Sequence, residues 1–340
     1  MPQTTNRFTI RWRRVLAWLF VPLGLALAAA WFTFASMPGC SHEGALPPLA
    51  ESERAAAERL RATVVELCAH GERNLDHPAA LSAAVETIAR ELARTGASVV
   101  RERFTTGARG EAVNVYVDLR GTNAADELVI VGAHYDSAHA SPGANDNASG
   151  VAALCELAQR CAKLPHARTL RFVAFANEEP PYFWTDEMGS VVHARGTKER
   201  GENVVAMLSL ETLGCYRDEP GSQRYPISAL AAIYPDRGNF VAFVGDVASR
   251  SLVRECIGAF RGHAEFPSEG AALPRAIPGV GWSDHWSFWQ EGWPAVMVTD
   301  TALFRDDAYH TPEDSPERLD CERIARVTLG LEHVIRALAR

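Results

Sequence analysis

The stretch Leu128-Val-Ile-Val131-Gly132-Ala-His134-Tyr-Asp136-Ser137 runs on into Gly143-Ala-Asn-Asp146-Asn-Ala-Ser-Gly150 and then Val151-Ala-Ala-Leu-Cys-Glu-Leu157. Four consecutive apolar residues without polar alternation predict a strand buried on both faces. The closing segment repeats its apolar residues at helical spacing. Between them lies a glycine-rich polar loop at the carboxyl end of the strand, where open α/β sheets place their chemistry. That loop offers the imidazole of His134 and the carboxylates of Asp136 and Asp146. Histidine with carboxylates is a ligand set suited to zinc or a similar divalent metal.

The neighbouring patterns supply a frame for this unit. Leu60, Val64, Val65 and Leu67 form a stripe over 51–70, and Leu81, Val85, Ile88 and Leu92 another over 79–95, with Gly96 placed to cap the second helix. Strands are expected at 98–100, 112–119, 169–175, 204–210, 240–244 and 294–299, with a turn at 121–126. Helices are expected at 147–163, 186–198, 247–260 and 319–339. Strands alternating with helices predict a sheet covered on both faces, in one soluble domain over 51–340.

Composition narrows the class. The chain has 340 residues, 47% hydrophobic and 22% charged, as expected of a globular protein rather than a disordered or fibrous one. Its net charge is −8, and Arg7, Arg11, Arg13 and Arg14 make residues 1–14 basic, so the remainder is more acidic still. A nucleic-acid partner, which needs a basic footprint, is not expected. The basic residues precede an apolar run, uncharged from Val15 to Ser41, that is long enough to span a bilayer. This reads as a cytoplasmic tail (1–14), a signal anchor or signal peptide (15–37) and a Pro/Gly-rich linker (38–50), with the domain exported. Retention as a membrane anchor is the first reading. Cleavage near Ala28-Ala-Ala30 and lipidation at Cys40 are the alternatives. The seven cysteines include no CxxC pair, which disfavours a zinc–thiolate site. Cys155 and Cys161 fall on different faces of one expected helix and should not bridge.

Further polar groups stand where apolar strands end. Asn177-Glu178-Glu179-Pro180 follows Phe172-Val-Ala-Phe175, Glu211 follows Met207-Leu-Ser-Leu210, and Tyr309-His310-Thr311 follows the last strand. Two divalent ions close together need one bridging carboxylate, further ligands for each, and a base beside the water they share. Adjacent glutamates can divide that labour, one binding metal and the other moving the proton. Asp136 is placed to accept a hydrogen bond from the His134 ring.

Taken in order, Gly132-Ala-His-Tyr-Asp-Ser137, Gly143-Ala-Asn-Asp-Asn-Ala-Ser-Gly150, Asn177-Glu-Glu-Pro180, Ser283-Asp-His285 and Tyr309-His-Thr-Pro312 resemble the M28 family of zinc aminopeptidases. The resemblance covers roughly residues 55–338. It implies a mixed, mostly parallel sheet between helices and two zinc ions per chain. It further implies that His134 and Glu211 bind one zinc, Glu179 and His310 the other, and that Asp146 bridges them. Glu178 would be the general base, with Asp136, Asp284 and His285 in supporting positions. The expected activity is removal of N-terminal residues from peptides. A single-zinc glutaminyl cyclase and an inactive binding ectodomain are the competing readings; oligomeric state is not indicated. Where many members continue Gly-Leu-Leu-Gly-Ser, this chain has Pro180-Pro-Tyr182-Phe183-Trp184. Those three aromatic residues are expected either to wall an apolar pocket favouring bulky N-terminal side chains or to pack against the neighbouring helix.

Overall fold

Leu128-Val-Ile-Val131 lies inside the central strand of an eight-stranded sheet, with Val129, Val131 and Ala133 facing one hydrophobic core and Leu128 and Ile130 the other. The computed structural model describes residues 34–107 and 110–340, together with Trp18 and Trp31. In chain order its elements are α1 (Glu51–Ala69), α2 (Pro78–Ala93), β1 (Val100–Thr105), β2 (Glu111–Leu119), β3 (Ala124–His134) and α3 (Gly150–Cys161). There follow β4 (Arg168–Phe175), α4 (Gly189–Glu199), β5 (Asn203–Glu211), the single turn α5 (Ser228–Ala231), β6 (Val241–Asp246) and α6 (Arg250–Arg261). The chain closes with β7 (Ser268–Leu273), α7 (His285–Gln290), β8 (Ala295–Thr299) and α8 (Cys321–Leu338).

The strand order is β1-β2-β4-β3-β5-β8-β6-β7. β4, β3, β5 and β8 are mutually parallel, whereas β2 runs antiparallel to β4 and β6 antiparallel to β8. The architecture is thus the expected mixed, mostly parallel α/β sheet between helices. Helices α1, α2, α3, α6 and α8 pack on one face, and α4, α5 and α7 on the other. Gly132 in β3 is required by this packing, since a Cβ there would sit 2.3 Å from Cε2 of Phe175.

Several boundaries differ from the sequence reading. β1 begins at Val100, not Ser98, and continues through Arg101-Glu-Arg103, charged residues that a solvent-facing edge tolerates. β3 begins at Ala124 inside the expected turn, with an irregular register before Leu128. The helix expected from 186 starts at Gly189, and that expected from 247 starts at Arg250. The strand β7 and the short helix α7 had no sequence signal: Ser-Glu-Gly-Ala-Ala-Leu contains no β-branched residue. All seven cysteines are free thiols, Cys155 and Cys161 among them.

The basic tail and most of the expected signal anchor lie outside the described residues, and no helix among the described residues is long and apolar enough to cross a membrane. The last residues of the stretch read as an anchor and the first of that read as a linker lie against the domain. Arg254 donates to the Ser36 carbonyl, and Arg261 to those of Pro38 and Gly39 at 3.2 and 3.3 Å. The Ser268 amide donates to Ser41 Oγ at 2.8 Å, and Met37 packs on the core beside Gly270. Deleting residues 1–41 is therefore expected to cost about 2 kcal/mol relative to a chain starting at 34, from lost Met37 burial and hydrogen bonds. Equal urea-unfolding midpoints for the two chains would show that the segment merely rests on the surface.

Candidate metal centre

Three adjacent parallel strands, β4, β3 and β5, end side by side, and each delivers a polar residue at its carboxyl tip. His134 is the last residue of β3 and Glu211 the last of β5, and Glu178 and Glu179 follow β4 by one tight turn. Asp146 comes from the turn before α3. Its φ/ψ of −111°/89° is not helical, and the N-cap of α3 is Ser149, so Asp146 does not cap that helix. His310 comes from the loop after β8.

The five candidate ligands converge as two sets joined at Asp146. His134 Nε2 lies 3.2 Å from Asp146 Oδ1 and 3.3 Å from Glu211 Oε2. His310 Nε2 lies 2.9 Å from Asp146 Oδ2 and 3.1 Å from Glu179 Oε2. Within each set, one ligand atom per residue falls inside a 4.8 Å sphere of mutual approach, which could hold a metal ion. Glu178 belongs to neither set, and its Oε2 is 3.9 Å from His134 Nε2. Among the described residues, both ring nitrogens of His134, Oδ2 of Asp146, Oε1 of Glu179 and Nε2 of His310 are buried without a hydrogen bond. Buried polar atoms are ordinarily satisfied, so this cluster of orphans fits divalent cations as the missing partners.

A second layer fixes the backbone beneath these groups. Asp136 accepts the amides of both Glu178 and Glu179 at 3.0 Å, while its Oδ1 is 3.5 Å from His134 Nδ1. Its main hold is thus on the glutamate pair rather than on the imidazole. Asp314 accepts the amides of Asn145 and Asp146 at 2.8 and 3.1 Å. Arg73, fully buried, donates to the carbonyls of Tyr135 and Gly143 and so fixes both ends of the loop between His134 and Asp146. Asn147 ties that turn to β5 through the Leu210 carbonyl, and Ser283 donates to Glu211 Oε2 at 2.7 Å. Asn177, Thr212 and His310 adopt positive φ of 57°, 48° and 59°, a costly conformation for such residues that gathers where functional groups must be aimed.

The electrostatics follow from crowding acids away from water. Burial raises Glu178 and Glu211, and burial with the neighbouring Asp146 charge pushes Glu179 up to about 8. Burial opposes charge on the histidines, yet the carboxylates prevail: Glu211 and Glu178 raise His134, and Asp146 and Glu179 raise His310 to about 10. Asp146 is lowered despite its burial, because both histidines face it. Cations are what this cluster lacks, and divalent metal would replace the protons it otherwise holds.

Other expected residues are placed differently. Asp284 is fully buried, near enough to feel the His134 and Glu211 charges, and burial pushes its carboxyl up to about 7. His285 is turned to the Val280 carbonyl at 2.8 Å and packs edge-on to Trp289. Within that motif Ser283 is the residue that touches a candidate ligand. An apolar cavity opens beside Glu211 and Tyr309, but none of Tyr182, Phe183 and Trp184 lines it. Tyr182 is buried in the core, and Phe183, Trp184 and Trp286 stack on one another, with Trp184 half exposed and donating to the Gly281 carbonyl. The cavity wall comes instead from residues such as Leu230, Ile277 and Trp282. Arg73 and Asp314 carried no signal in the sequence, because their importance lies in backbone groups far along the chain.

Asp314→Ala leaves two buried amides without an acceptor at the turn that aims Asp146. Loss of such supporting partners typically weakens metal affinity by about 10–100-fold. A competitive zinc titration of the folded variant giving the parent affinity would show that Asp314 does not hold the turn.

Comparisons with known proteins bear on the family and the fold. The model of Peptidase family M28 matches residues 114–335. The protein YfbL of Escherichia coli K12, itself described as uncharacterized, is 42% identical over 212 residues, covering 60% of this chain and 65% of that protein. Aminopeptidase YwaD of Bacillus subtilis is 27% identical over 202 residues, covering 58% of this chain and 38% of that protein. The chain thus spans less than two thirds of the length of these relatives. Among solved structures, a zinc aminopeptidase from Bacillus subtilis superposes with a TM-score of 0.66 at 16% identity, covering 82% of this chain and 94% of its own. A glutaminyl cyclase from Fimbriiglobus ruber shares the fold at a TM-score of 0.62 and 22% identity, over 87% of this chain and 98% of its own. With its match extending from β2 into α8 and the family's fold around it, this chain belongs to peptidase family M28.

Proposed function

We propose that this protein is an exported two-zinc aminopeptidase, hydrolysing the N-terminal residue from peptides. The observation that carries the reading is the sharing of Asp146. Its two oxygens face two different histidines, at 3.2 and 2.9 Å, so that two ligand sets meet on one carboxylate. A bridged pair of divalent ions calls for that arrangement. His134, Asp146 and Glu211 would hold one ion, and Asp146, Glu179 and His310 the other. Zinc bound there supplies Lewis acidity toward the scissile carbonyl and lowers the pKa of water.

Glu178 performs the proton transfers. It stands outside both ligand sets, yet its backbone is fixed through Asp136 beside that of the ligand Glu179. As a carboxylate it accepts the proton of the attacking water, and as the acid it returns one to the departing amine. Buried walls around the cluster exclude bulk water and strengthen each of these interactions. The cyclase in the same fold is the competing chemistry, and two complete ligand sets weigh toward two ions. Export rests on the basic residues and uncharged apolar run at the N-terminus.

Zinc analysis of the purified protein is expected to approach two equivalents per chain, with free amino acid released from aminoacyl reporters. One equivalent in active protein, or pyroglutamate formation, would favour the cyclase. Glu178→Gln should retain the metal and lose about 10²–10⁴-fold in turnover; normal turnover would remove Glu178 as the base. On fractionation of producing cells the full chain is expected with the envelope, and recovery in the cytosol would remove export from the reading.

A further inference from the structure

The register of the sheet draws a straight row away from the metal centre. Glu211 pairs with Thr299, Thr299 with Ala242, and Ala242 with Glu269. Registered neighbours on adjacent strands present their side chains on the same face. All four residues line the apolar cavity. Three strand spacings put Glu269 about 14 Å from Glu211 across the cavity floor. The row therefore begins at a candidate metal ligand and ends on a second carboxylate, with Thr299 and Ala242 between them.

Glu269 is poorly compensated where it stands. Its side chain is 21% exposed, and its nearest cation is Arg261 Nη2 at 3.8 Å, beyond hydrogen-bond distance. That guanidinium is engaged by the carbonyls of Ser268 at 2.6 Å, Pro38 and Gly39. Among the described residues no donor reaches the Glu269 carboxylate. The other charged group in the lining, Arg224, is mostly exposed and pairs with Asp307 at 3.3 Å. Two of the tyrosines of this wall are also committed, Tyr234 to the Gly270 carbonyl and Tyr225 to that of Pro235. A half-buried carboxylate without donors is costly, and burial raises its pKa. A cation brought in by a ligand would relieve that cost.

We propose that Glu269 is the specificity-determining residue of this cavity, selecting peptides whose N-terminal residue is lysine or arginine. The inference rests on the aminopeptidase reading above and adds its substrate class. The aliphatic stem of such a side chain lies along Ala242, Leu230 and Ile277, and its terminal cation reaches Glu269. A lysine or arginine side chain reaches further along this row toward Glu269 than alanine or leucine can. An acidic N-terminal residue would bring a like charge to Glu269 and is rejected.

Zinc-loaded protein assayed with lysyl, arginyl, norleucyl and glutamyl coumarin amides tests this directly. Norleucine reproduces the lysine stem without its ammonium group. The ratio of kcat/KM for lysyl over norleucyl is expected to be about tenfold or more, the scale of a charge-assisted hydrogen bond. In Glu269→Gln that ratio should fall toward unity. A parent ratio at or below one overturns the proposal, as does an unchanged ratio in a folded Glu269→Gln. If that variant does not fold, the ratios of the parent protein decide alone. Hydrolysis of none of the four reporters by zinc-loaded protein overturns the aminopeptidase reading, and the inference with it. Hydrolysis of the norleucyl reporter without preference for the lysyl one overturns the inference only.

Discussion

Mutual repulsion among carboxylates withdrawn from water is the constraint around which this molecule is built. Asp146, Glu178, Glu179 and Glu211 are all buried within reach of His134 or His310. Left to themselves such groups would take up protons or move apart. They are held because each stands on backbone that has no freedom to move. Glu211 ends a strand inside the sheet, Asp146 belongs to the turn that Asp314 and Arg73 clamp, and Asp136 pins the peptide units of the Glu178–Glu179 pair. Acids thus serve twice here, some turned toward the centre and others turned toward amides to hold the first group in place.

The legible part of the fold was the part whose physics is local. Runs such as Leu128-Val-Ile-Val131 and Phe172-Val-Ala-Phe175 announce buried parallel strands, because both faces of those strands must be apolar. Residues directly after such runs are carried to the sheet's carboxyl edge, so His134, Glu178, Glu179 and Glu211 could be named from the chain alone. His310 and Asp146 lie in loops; the chain offered them as polar candidates, and their places in the two ligand sets came only with the resemblance to a known family.

The illegible part depends on distant residues. Arg73 reads as a surface arginine until the carbonyls of Tyr135 and Gly143 close on it. β7 has the composition of a loop and becomes a strand because β6 lies beside it. The aromatic run after Glu179 allowed two readings, a pocket wall or packing. At the large cavity it does not form the wall: Tyr182 packs on the core and Phe183 and Trp184 stack on each other. The cavity wall is drawn from the far side of the sheet, where β8, β6 and β7 extend the row begun by Glu211.

An open sheet has two edges, and each unpaired edge is an invitation to another strand. Here they are refused by different means. β1 presents Arg101, Glu102 and Arg103 in succession, and charge discourages a neighbour there. β7 carries little charge, but its outward groups are occupied: the Ser268 amide by Ser41 Oγ, the Ser268 carbonyl by Arg261, and the Gly270 carbonyl by Tyr234. The segment that leads into the domain is therefore also a cover strip. A chain that lost it would expose the start of a strand edge, and its first fault would be self-association rather than impaired chemistry.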